Sequence, residues 1–169
     1  MKILVVVDMQ NDFIDGSLGT PEAVAIVPSV IEKIKEHEVS GGLVIYTKDT
    51  HFENYLETAE GVKLPVPHCI KGTVGHDIPS EILRSHELIF EKKTFGSTEL
   101  AEYIKTLDFS EIELIGLCTD ICVISNALLL KANFPDKKIT VDSRCCAGVT
   151  PTSHTEALNT MRMCQIDVI

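Results

Sequence analysis

Residues 2–16 read KILVVVDMQNDFIDG. The unbroken apolar run Ile3–Val7 is closed by Asp8, and it is too short to span a bilayer or to act as an export signal. A short run of this kind, bounded by polar residues, reads as a strand buried on both faces, the environment of strands in a parallel sheet. Comparable runs recur at Leu43–Thr47, Glu87–Glu91, Glu111–Leu117, Lys138–Val141 and Ile166–Ile169. Helical patterns lie between them at Pro21–Glu38, Ser80–Ser85, Thr98–Leu107, Thr119–Asn133 and Pro151–Met163. In the first long helix Val24, Val27, Ile31 and Ile34 recur at helical spacing and predict its buried face. The alternation predicts an α/β fold, a doubly wound three-layer sandwich around a six-stranded parallel sheet of order 3-2-1-4-5-6, in a single domain over residues 1–169. Asp49–Pro79 reads as one long irregular stretch, and loops of that size are usually functional.

Composition narrows the function by exclusion. The 169 residues carry 15 Lys plus Arg against 25 Asp plus Glu, a net charge of −10. A field of that sign repels nucleic acid and anionic membrane surfaces, so neither is an expected partner. Six cysteines could frame a disulfide scaffold in a secreted chain, but with no export signal the expected compartment is the cytoplasm, where they read as thiols.

In a doubly wound sheet ligands bind beyond the carboxyl ends of the strands, where strand order reverses. Asp8 ends the first strand, Asp49 and His51 follow the second, Lys92 and Lys93 the third, and Cys118 to Cys122 the fourth. Order 3-2-1-4-5-6 would set Asp8 against the cysteine turn. Dinucleotide binding is disfavoured, since acidic Asp8 and Asp12 stand where glycines would have to cradle a pyrophosphate. Cys122 falls in the first turn of a helix capped by Thr119 or Asp120, where the dipole and a nearby lysine would favour a thiolate. An adjacent carboxylate, Asp8, could take the thiol proton and return it to a leaving group. The bland alternatives are an inert buried thiol and a turn-capping aspartate.

Asp49 and His51 are two apart in extended backbone and project to one side, with His68 a third candidate ligand and Glu60 a fourth. Two imidazoles and a carboxylate suit a divalent Zn, Fe or Mn ion. A solvated polar loop is the alternative there. His37, His76, His86 and His154 lack an evident partner and read as surface or supporting residues.

Taken together and in order, VVVDMQNDF (5–13), DTH (49–51), PHCIKGT (67–73), EKKTFGST (91–98) and GLCTDICV (116–123) resemble the isochorismatase-like cysteine hydrolases, nicotinamidase/pyrazinamidase branch, from Lys2 nearly to Ile169. The resemblance implies a catalytic triad of Asp8, Lys92 and Cys122. Lys92 is preferred to Lys93 because the family lysine stands three residues before an aromatic, here Phe95. It also implies a cis peptide at Leu117–Cys118, with the backbone N–H groups of Cys118 and Cys122 forming an oxyanion hole. A metal, zinc first and iron or manganese as alternatives, would be held by Asp49, His51 and His68, with Glu60 joining in some members. The implied reaction is hydrolysis of nicotinamide to nicotinic acid and ammonia through a cysteine thioester. Another small amide or a ureido acid, or a catalytically silent binding protein, are the competing readings. Substrate contacts fall to Phe13, Leu64 and Phe95. Leu64 and Pro65 stand near the place of an aromatic that often stacks on the pyridine in the family, so ring stacking is expected to be weaker on that side. Family members often self-associate, which implies a homo-oligomer. Cys69, Cys145, Cys146 and Cys164 are left as packing residues.

Overall fold

A computed structural model describes residues 1–83 and 88–169. In chain order the elements are β1 (Lys2–Val7), α1 (Asn11–Ile14), α2 (Pro21–Val39), β2 (Leu43–Asp49), α3 (Ala59–Lys63), β3 (Leu88–Lys92), α4 (Thr98–Ile104), β4 (Glu111–Leu117), α5 (Ile124–Asn133), β5 (Lys138–Ala147), α6 (Pro151–Met163) and β6 (Asp167–Val168). The six strands form one all-parallel sheet of order β3-β2-β1-β4-β5-β6. Strand order reverses between β1 and β4, which is where a doubly wound sheet places its ligand cleft.

The layering follows from side-chain alternation along β1. Ile3, Val5 and Val7 pack with Leu100, Ile104, Ala127, Leu130, Leu158 and Met161 from α4, α5 and α6. Leu4 and Val6 pack on the other face with Phe13 and Ile14 of α1 and with Ile26, Val30 and Ile34 of α2. The central strands are therefore apolar at successive positions, which is why they read as unbroken runs rather than alternating ones.

Several boundaries differ from the sequence reading. The buried face of α2 is Ala23, Ile26, Val30, Ile34 and His37. Val27 and Ile31 flank it and Val24 is exposed, because this helix carries more apolar residues than one stripe can bury. Strand β5 runs on through Asp142, Ser143 and Arg144 to Ala147, past an irregularity in its pairing with β4 that lets polar residues into the strand. The stretch 49–79 is not wholly irregular: it holds α3 and single 3₁₀ turns at Tyr55–Glu57 and Val74–His76. Ser80–Leu83 is a turn closed by N–H groups of Ile82 and Leu83 on the Pro79 carbonyl, not the start of a helix. The remainder of that expected helix, the first residue of the expected third strand and His86 lie outside the described residues.

At the reversal the strands approach closely. Gly116 has φ +115°, and a Cβ there would lie 2.1 Å from the Val7 carbonyl oxygen. Only glycine lets β4 come this near the end of β1, and the residues following both strands then face one another. Among the described residues no helix is long and apolar enough to cross a membrane.

Candidate active site

Asp8 follows β1 with φ +46°, an uncommon backbone conformation for a non-glycine residue that recurs at functional sites. Its Oδ1 accepts a 2.6 Å hydrogen bond from Thr47 Oγ1, and its N–H donates to the same oxygen. Oδ2 has no hydrogen-bond partner of good geometry among the described residues. The Lys92 ammonium lies 2.6 Å from it as an ion pair.

Lys92 is the last residue of β3, in register with Asp49 at the end of β2. Its Nζ is 3.3 Å from Asp49 Oδ1 and 3.5 Å from Cys122 Sγ. Lys92 is buried whereas Lys93, one residue on, is exposed. Alternation along the strand thus settles which lysine enters the cleft.

Cys122 lies within a π-helical turn, Thr119–Val123, which runs into α5. The Leu117–Cys118 peptide before it is cis. The residue preceding the turn, Cys118, caps it through its backbone: its carbonyl accepts from the N–H groups of Ile121 (3.1 Å) and Val123 (3.0 Å). The expected caps do other work. Thr119 Oγ1 shares a hydrogen bond with His154 Nδ1, and the Asp120 carboxylate accepts from the Val149 N–H. Asn126, fully buried, donates to the carbonyls of Cys122 (2.8 Å) and Phe95 (3.1 Å) and accepts from the Ser97 N–H.

Burial pushes the Cys122 thiol well above the usual cysteine range, and the Asp8 carboxylate raises it further against the pull of Lys92. This corrects the expectation of a resting thiolate: loss of water and two nearby carboxylates outweigh one ammonium and a turn. Burial likewise raises Asp8, with Lys92 opposing it. For Lys92 burial works against the charge, but Asp8, Cys122 and Asp49 together outweigh it and hold the ammonium above the ordinary lysine range. These effects favour the protonated form of the Cys122 thiol, beside the close Asp8–Lys92 contact.

A second cluster adjoins the first. Asp49, His51, Glu60 and His68 each offer one ligand atom within 4.8 Å of the others. Asp49 Oδ2 is 3.0 Å from His51 Nε2 and 3.5 Å from His68 Nε2, and Glu60 Oε1 is 3.6 Å from both imidazoles. Donors sharing one ion at about 2.0–2.2 Å each lie some 3–3.6 Å apart, so the set fits a single divalent metal. The supports fit as well. His68 Nδ1 is 2.8 Å from the Val66 carbonyl, which fixes the ring with Nε2 facing the cluster. Tyr55 packs edge-on against both imidazoles, with ring centroids 4.7 Å from His51 and 5.0 Å from His68.

Between the clusters lies a cavity of about 300 Å³ lined by Cys118, Cys122, Asp49, Glu60 and His68, together with the three expected substrate contacts Phe13, Leu64 and Phe95. Phe13 also stands against His68, centroids 5.5 Å apart.

Other side chains escaped the sequence reading. Gln10 grips the Asp49 peptide at both ends, accepting from its N–H (2.7 Å) and donating to its carbonyl (2.9 Å). Asp12 accepts from the Cys69 N–H beside His68. Both lie in the motif that carries Asp8, so its polar density was the available signal. Thr47 and Tyr55 had none beyond position. Of the remaining histidines among the described residues, His37 and His76 are buried and fall to the supporting side of the expectation, with His76 Nε2 2.9 Å from Thr50 Oγ1. All six cysteines are free thiols, and Cys164 is exposed rather than packed.

These features coincide with known proteins. The isochorismatase domain model matches residues 2–169. An uncharacterized isochorismatase family protein, PncA, of Bacillus subtilis is 31% identical, with 94% of this chain and 92% of that protein covered. The nicotinamidase/pyrazinamidase of Mycobacterium tuberculosis is 27% identical over 100% of this chain and 98% of its own. The pyrazinamidase of Pyrococcus horikoshii in complex with zinc superposes with a TM-score of 0.88 at 27% identity, covering 99% of this chain and 98% of the other. The chain belongs to the isochorismatase family.

Proposed function

We propose that the protein is a metal-containing cysteine amidohydrolase that converts nicotinamide and water to nicotinic acid and ammonia. The observation that carries this is the buried Asp8–Lys92–Cys122 constellation, whose Cys122 lines the same cavity as Asp49, Glu60 and His68.

The Asp8 carboxylate, paired through Oδ2 with the Lys92 ammonium, takes the Cys122 thiol proton, and the sulfur attacks the carboxamide carbon. Charge that develops on the carboxamide oxygen is held by the backbone N–H groups of Cys118 and Cys122, a contribution of about 3 kcal/mol per donor. The C–N bond breaks as Asp8 returns the proton to nitrogen, releasing ammonia and leaving a thioester. Water, giving its proton to Asp8, then attacks the thioester carbon. The C–S bond breaks, and the thiol is restored as the acid departs. Lys92 holds the Asp8 carboxyl in place through both halves and favours its return to the charged form each time it gives up the proton.

Asp49, His51, His68 and Glu60 would hold the divalent ion, which, when bound, supplies a Lewis-acid contact for the ring nitrogen. Phe13, Leu64 and Phe95 would line the ring, and binding of this kind acts by orientation. The rest of the cavity lining, including Leu18, Ala23, Leu117, Ile121 and Val149, offers no Lys or Arg among the described residues. A largely apolar lining of this kind suits a flat, neutral ring carboxamide. The test is ammonia release from nicotinamide and pyrazinamide by zinc-loaded protein. Turnover absent in Cys122→Ala supports the reading, and no turnover of either amide by the intact protein overturns it.

A further inference from the structure

We propose that His154 is a positioning residue, holding through Thr119 the turn that carries Cys118 and Cys122. This rests on the oxyanion role proposed for those two amides. The turn has no side-chain cap of its own, so something outside it must set its orientation. Asn126 of α5 holds its far end by donating to the Cys122 carbonyl, and the contacts on its first two residues come from the start of α6 and the segment just before it. Thr119 is fully buried and its Oγ1 shares a 2.7 Å hydrogen bond with His154 Nδ1. One residue on, Asp120 accepts from the Val149 N–H at 3.1 and 3.2 Å.

The anchor is itself rigid. Thr150 and Ser153 form a reciprocal capping box, Pro151 fixes the first turn, and the His154 N–H makes a backbone bond of the helix to the Thr150 carbonyl. Gly148 leaves no room for drift, since a Cβ there would lie 2.9 Å from the His154 backbone N and Cβ. His154 thus stands at a fixed point in α6 and reaches the residue between the proposed donor Cys118 and the rest of the turn. It touches none of the reacting atoms. Oxyanion donors must lie within a few tenths of an ångström of their optimum, so releasing Thr119 is expected to cost rate rather than ground-state binding.

The experiment compares His154→Ala, His154→Asn, Thr119→Val and the double variant His154→Ala/Thr119→Val in the zinc-loaded protein, by nicotinamide kinetics and by amide hydrogen exchange. An Asn amide can replace the Nδ1 contact. His154→Ala should lower kcat about ten-fold or more with KM within about two-fold of wild type. His154→Asn should recover most of the loss, and the double variant should be no worse than Thr119→Val alone. Exchange should quicken in His154→Ala over 118–123 and stay unchanged in β1 and β4. Unchanged exchange over 118–123 overturns the proposal whether or not nicotinamide is turned over. Faster exchange with an unchanged kcat overturns its catalytic part. Absence of turnover in the wild type would instead sink the nicotinamide reading, with exchange still deciding the role of His154.

Discussion

The Lys92 ammonium sits 2.6 Å from Oδ2 of Asp8, in a site where both side chains are almost fully withdrawn from water. Two charges buried at this distance are worth little as a source of stability, yet removing one alone leaves the other uncompensated. Here Lys92 faces two carboxylates, Asp8 and Asp49. Lys92→Met should therefore cost about 3–5 kcal/mol in urea unfolding. Adding Asp8→Asn removes one of the stranded charges and should recover part of that loss, while turnover stays absent in both. A double variant less stable than Lys92→Met would contradict the pairing.

Burial and the Asp8 charge raise the Cys122 thiol, so alkylation should follow the thiolate fraction upward with pH. With iodoacetamide and peptide mapping, exposed Cys164 should react first. The rate at Cys122 should still be climbing above pH ~9. A rate at Cys122 that is high and flat from neutrality would mean a pre-formed thiolate.

The metal cluster makes a prediction that is independent of turnover. Zinc-loaded wild type should carry one equivalent by elemental analysis, and its melting temperature should fall on chelation because the ion binds only the folded site. His51→Ala and His68→Ala should each weaken binding and flatten that dependence. They are cleaner probes than Asp49, which also faces Lys92.

Away from the cleft, the buried Asp142 carboxylate lies 2.8 Å from Lys33 and 2.8 Å from Arg144. Burial opposes its charge, but Arg144 and Lys33 outweigh that and hold its pKa below the usual carboxylate value. Lys33 is held up at about 12, its burial outweighed by Asp142 and Glu113. A lowered carboxylate stabilises the fold above its unfolded pKa and loses that contribution as pH falls through the folded one. A raised ammonium stabilises below its unfolded pKa and loses it as pH rises through the folded one. Lys33→Met should thus cost about 1–3 kcal/mol near neutrality, with the difference from wild type shrinking below pH ~4 and above pH ~10.5. Denaturant unfolding across pH measures it, and a difference that grows in acid would refute the assignment.

The sheet was legible because its central strands are buried on both faces, so Ile3–Val7 and Glu111–Leu117 announce themselves without help from tertiary context. Asp8, Asp49, His51 and the Lys92–Lys93 pair were placed at strand ends by the same logic, His68 and Glu60 were read from the loop after the second strand, and the structure brings Asp8, Lys92 and the four candidate ligands together. What escaped was set by contacts distant in sequence. The polar density around Gln10 marks the motif but not its partner Asp49, 39 residues on, and Thr119 could not be told from a cap until α6 brought His154 beside it. The expected thiolate failed for a related reason: the charge of a thiol depends on how much water the whole fold removes, which no local motif records.

The central claim is that Cys122 carries the acyl group. Acid-quenched single-turnover mixtures of the zinc-loaded protein with nicotinamide, read by intact mass and peptide mapping, test it directly. The account predicts a nicotinoyl adduct on Cys122, formed together with one equivalent of ammonia per site and absent in Cys122→Ala. Undiminished ammonia release from Cys122→Ala, with no adduct on the wild type, would contradict it.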